Sequence, residues 1–145
     1  MKKIILFVIL AFVLFVVGCT GGQTTDDQSS LSGSSEHKTL TVEITSEGFN
    51  PNPVTIAVGD TITWVNKDTN EHWPASALHP THAVYPGSDI EKCKIPDEKD
   101  KIFDACRGLK QDESSSFTFN EKGTWNYHDH LVVGLYGKVI VQKNE

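Results

Sequence analysis

Alternation of apolar and polar residues in short runs is the feature that most constrains this chain. Leu40, Val42 and Ile44 alternate with Thr41, Glu43 and Thr45. Val54, Ile56 and Val58 repeat the pattern, as do Ile62 with Trp64, Phe117 with Phe119, and Val139 with Val141. A period of two puts one set of side chains on one face, so each run reads as a strand with one buried side. Turn-forming residues separate the runs: Gly48 to Pro53, Gly59-Asp60, Asn66 to Asn70, and Gly123. Many short strands, frequent turns and little helical periodicity point to an all-β sandwich or small barrel.

The N-terminus obeys other rules. Lys2 and Lys3 precede an unbroken apolar run from Ile4 to Val17. That run falls short of the ~20 residues a membrane span needs and fits the apolar region of an export signal. Val16-Val17-Gly18-Cys19 resembles a bacterial-type lipobox, which implies acylation of Cys19 as the mature N-terminus. Residues 1–18 are therefore expected to be a lipoprotein signal peptide. Residues 19–37, rich in Ser, Thr, Gly, Asp and Gln, should be a flexible tether, and residues 38–145 the folded domain. The expected location is extracytoplasmic, lipid-anchored to the cell membrane through Cys19. The formal net charge of −6 and the lack of a basic patch exclude nucleic acid as the expected partner.

Between His72 and Gln111 the periodicity lapses. A long irregular insertion in a small domain is commonly functional. It holds Cys93 and Cys106, separated by thirteen positions. In an oxidising compartment two such thiols tend to pair, so a disulfide is expected here, with metal ligation as the alternative. A short helix is expected near Glu98 to Leu109. Glu91, Asp97, Glu98, Asp100 and Asp104 form an acidic stretch that reads as a solvated face.

Five of the six histidines cluster. His72, His79 and His82 open the insertion, and His128 and His130 flank Asp129 near the last strands; His37, beside the tether, reads as solvated. Neutral imidazole is a common ligand for copper, zinc and nickel. Positions i and i+2 of a strand face the same way, so His128 and His130 suit joint chelation of one ion. Trp73 and Trp125 are candidates to shield that site or to sit in the core.

Two stretches resemble the cupredoxins, the plastocyanin-like proteins. One runs from Gly48-Phe49-Asn50-Pro51 through Val58-Gly59-Asp60-Thr61-Ile62-Thr63-Trp64-Val65-Asn66-Lys67-Asp68 to His72. The other comprises Phe117-Thr118-Phe119, Gly123 to His128 and Gly137 to Val141. The resemblance implies a Greek-key β-sandwich, here with a long disulfide-stapled insertion, and makes His72 the counterpart of the family's first copper ligand. It also places Asp129 in the slot of the blue-copper cysteine, Val132 in that of the second histidine, and Leu135 in that of the axial methionine. A thiolate site is therefore not expected.

Two ligand sets follow. One joins His72 and Asp129, completed by His79 or His82; the other joins His128 and His130 with His72 or with the insertion histidines. The expected site is His72, His128 and His130, with His82 and then His79 as further ligands. Copper as Cu(II) is the expected ion and zinc its competitor. The implied function is copper binding with electron transfer. The alternatives are a copper store or chaperone without redox duty, or a metal-dependent oxidoreductase, though a binding role is favoured over an enzymatic one. A redox protein or copper donor is the expected partner besides the membrane.

Overall fold

The computed structural model describes residues 36–144. Residues 1–18, expected to be a signal peptide, Cys19, and nearly all of the expected tether 19–37 lie outside them. The alternating runs form strands where expected: β1 (Thr39–Thr45), β2 (Gly48–Asn50), β3 (Val54–Ala57), β4 (Thr61–Asn66), β6 (Ser114–Thr118), β7 (Gly123–Asp129) and β8 (Tyr136–Gln142). A three-residue β5 (Pro74–Ser76) is added by the insertion.

The strands make two four-stranded sheets, ordered β2-β1-β4-β6 and β3-β8-β7-β5. β1 runs parallel to β4, and β3 parallel to β8; the other pairs are antiparallel. Parallel neighbours require the chain to cross between sheets, as a Greek-key sandwich does. Val42 and Ile44 of β1, Ile62 and Trp64 of β4, Tyr127 of β7, and Val139 and Val141 of β8 meet between the sheets, each at most 2% exposed. Each valine and isoleucine among them contributes about 1.5–3 kcal/mol of burial. Gly137 lies opposite Tyr127 in the ladder. A Cβ there would fall 2.1 Å from the tyrosine ring, so the strand needs a residue without one.

The insertion is part of this core. Phe103 stacks on Trp64 with ring centroids 5.0 Å apart, and Tyr85, Ile102 and Leu109 are also buried. The chain is tied down by bridges from His72 to Leu109 and from Ala75 to Asp104. The expected disulfide is present between Cys93 and Cys106. The helix expected over 98–109 does not form. Short 3-10 turns occupy Ile90–Lys94 and Lys99–Lys101, and residues 102–106 run back along β5, where backbone bonds from Ser76 to Phe103 and from Ala105 to Pro74 replace helical ones.

This packing alters the end of β7. Alternation would expose every second residue, yet Tyr127, His128 and Asp129 are all buried. β5 pairs with that end of β7, setting Ala75 against His128, and the insertion covers the outer face.

Candidate metal centre

Four imidazoles converge at this end of β7. One ring nitrogen from each of His79, His82, His128 and His130 lies within 4.8 Å of all the others. Nitrogens bound at ~2.0–2.1 Å to a common ion stand roughly 3–4 Å apart, so the group is close to a coordination shell. The insertion supplies His79 and His82, and the end of β7 and the residue after it supply His128 and His130.

The four rings differ in surroundings. His82 is fully buried, and its Nδ1 lies 2.5 Å from Oδ2 of Asp104. Its Nε2 lies 2.9 Å from Nδ1 of His130. Two imidazole lone pairs at that distance repel unless a proton or cation lies between them. His128 is 5% exposed, and neither of its ring nitrogens has a hydrogen-bond partner. A buried polar atom left unpaired costs about 1–3 kcal/mol, so an imidazole with two needs a reason to be there. Burial, followed by the neighbouring His82, His79 and His130, lowers the His128 pKa to about 4. Burial and then His82 and His79 lower that of His130 as well. Both shifts favour the neutral ring, the form that binds metals. His79 is exposed and borders a cavity of about 180 Å³ shared with His128, His130, Val132, Val133 and Tyr136.

His72 and Asp129 stand outside this group. His72 Nδ1 is 2.6 Å from Asp129 Oδ2 and its Nε2 is 3.2 Å from Asp68 Oδ2. The hydrogen bond from His72 is the main cause that lowers the Asp68 pKa to about 2. The other Asp129 oxygen accepts backbone N–H groups of Trp73, Leu131 and Val132, pinning the turn after β7. The expected set of His72, His128 and His130 is therefore not the one brought together: the second arrangement forms, completed by the insertion histidines. The reason is chemical. Asp129, which the resemblance sets in the place of a thiolate, pairs instead with the neighbouring His72 ring, and both side chains are buried.

Asp104 is a residue the sequence concealed. It is buried, not part of a solvated face, and accepts Trp73 Nε1–H and the Cys106 N–H besides facing His82. Trp73 lies over the site with its ring centroid 4.5 Å from that of His130. Trp125 packs against Tyr85 instead, half-buried at the core's edge.

Residues 36–142 match the family of copper binding proteins described as plastocyanin/azurin. The chain belongs to that family. Among solved structures, a mutant amicyanin in its Cu(I) form is 24% identical, with a TM-score of 0.52, over 72% of this chain and 82% of that one. A reduced amicyanin mutant is 23% identical over the same shares, with a TM-score of 0.53. A purple cupredoxin from Nitrosopumilus maritimus is 21% identical over 70% of this chain and 98% of its own, with a TM-score of 0.53. These likenesses establish the cupredoxin fold.

Within this cupredoxin the family's slots do not fit a thiolate copper site. Asp129 is tied to His72, Val132 is 36% exposed, and Leu135 packs against the core. The four-histidine group does fit a late transition metal: its donors are borderline-soft nitrogens, already clustered, with His128 unsatisfied.

Proposed function

We propose that the protein is an exported cupredoxin that holds copper with His79, His82, His128 and His130 in place of the family's usual position. The observation that carries this reading is His128, buried against three other imidazoles with both nitrogens unpartnered. An all-nitrogen set suits Cu(II), with Zn(II) as competitor. When bound, copper would supply one-electron chemistry between Cu(II) and Cu(I). The chain's own part is to present neutral imidazoles, to keep Trp73 over one side, and to leave His79 at the surface.

The proposed role is electron transfer outside the cytoplasm. In its support, amicyanin, which shares this fold, is described in both oxidised and reduced states. The lipobox-like Val16 to Cys19 supports anchoring to the membrane by acylated Cys19, with a redox protein as partner. A second reading, carriage of copper from a donor protein, is favoured by the exposure of His79, since an accessible ligand eases exchange. Electrochemistry separates the two: reversible oxidation and reduction supports transfer, whereas tight binding with no reversible wave supports carriage. Elemental analysis of the purified protein tests the shared claim. About one copper per chain is expected, with weak visible absorption and a nitrogen-rich electron paramagnetic resonance signal. An intense blue colour, or no retained copper, would overturn it.

A further inference from the structure

We propose that Asp104 is a positioning residue for the metal centre, fixing His82 in the tautomer that carries its proton on Nδ1 and turns Nε2 toward the other histidines. The proposal deepens the four-histidine reading and rests on it for its consequence in copper binding. Its structural basis is separate. The side chains of His82 and Asp104 are both 0% exposed, with Nδ1 and Oδ2 2.5 Å apart. An ionised carboxylate accepts hydrogen bonds and donates none. Oδ1 of Asp104 already accepts two N–H groups, so the geometry assigns the shared proton to Nδ1 and leaves the lone pair of His82 on Nε2.

Asp104 is itself held from three directions. Oδ1 accepts Trp73 Nε1–H at 2.5 Å and the Cys106 N–H at 2.7 Å, and its backbone bridges to Ala75 of β5. Cys106 has a φ of +56°, a left-handed conformation that non-glycine residues seldom adopt, and its disulfide to Cys93 closes the segment. One carboxylate thus orients two walls of the site, the His82 ring and the Trp73 indole. Such outer carboxylates orient metal-binding imidazoles, and their loss costs 10–100-fold in affinity. Asparagine cannot replace the aspartate. Three donors converge on the carboxylate, and an amide would meet at least one of them with its own N–H.

The test reads the His82 tautomer directly. Full-length protein with ¹⁵N-labelled imidazoles, metal-free in detergent at neutral pH, should show His82 protonated on Nδ1 alone. Protonation on Nε2 would overturn the proposal whether or not any variant folds. Asp104→Asn should shift His82 to a mixture of tautomers, weaken Cu(II) binding 10–100-fold and change the nitrogen hyperfine pattern. Trp73→Phe removes another donor but leaves the Asp104–His82 contact, so it should keep the Nδ1–H tautomer. An Asp104→Asn protein with an unchanged tautomer and unchanged affinity would refute the role. Wild-type protein that binds no copper would sink the copper reading, while the tautomer still decides for Asp104.

Discussion

Replacing His128 with leucine should move stability and metal binding in opposite directions. His128 buries two unpaired nitrogens in the metal-free protein, and each such atom costs about 1–3 kcal/mol. The lower end of that range, taken for two atoms, gives about 2 kcal/mol as the expected total. Leucine has a similar volume and nothing to satisfy. His128→Leu should therefore stabilise the metal-free protein by about 2 kcal/mol at pH 7. With an m-value of ~1–3 kcal/mol/M, the urea midpoint rises by roughly 1 M. Copper reverses the ranking. At a hundredfold excess over Kd, a ligand adds about 2.7 kcal/mol to the wild-type protein, an increment His128→Leu should largely lose. Urea unfolding followed by tryptophan fluorescence, with chelator and then with Cu(II), measures both quantities. A variant that is less stable without metal, or that keeps the whole copper increment, would refute the argument that His128 is buried for the sake of an ion.

Three further outcomes are expected. His72→Ala should leave copper content unchanged but destabilise the fold by about 3–5 kcal/mol, because it strands Asp129, which is 3% exposed, without its buried partner; copper loss at unchanged stability would contradict this. The metal-free protein should lose stability as pH falls from 6.5 toward 4. In that window the unfolded chain protonates His128 while the fold keeps it neutral, its pKa being lowered to about 4 by burial and the adjacent histidines. The slope is positive in pH and amounts to at most about 3 kcal/mol, read from urea midpoints across pH; a flat profile would contradict the burial argument. Removing the Cys93–Cys106 disulfide, whose partners are 13 positions apart, should cost about 3 kcal/mol in the chain-entropy model, measured with paired serine variants. No change in thermal midpoint would show that the insertion is held by its core contacts alone.

The strands were legible because half-buried sheets impose a period of two on their own sequence. Leu40 to Ile44 carries it cleanly, and Val139 and Val141 carry it around the half-buried Ile140. The insertion was not legible, because Tyr85, Phe103 and Leu109 enter the core from irregular backbone, where no local period records burial. The metal group was half visible. His128 and His130 stood out by spacing, and the insertion histidines by density. His72 drew weight from its place in the family pattern, but that place depended on a thiolate now replaced by Asp129, and the two side chains satisfy each other. Asp104 was hidden by company: among Glu98, Asp100 and other acids it looked solvated. The Ile102-Phe103 pair just before it was the one local hint of burial.

The position of copper decides most directly whether the four histidines form the site. A crystal structure of the copper-loaded protein, with anomalous diffraction at the copper edge, should show one peak ~2.0–2.1 Å from nitrogens of His79, His82, His128 and His130. A peak on His72 and Asp129, or none among the four histidines, would contradict it.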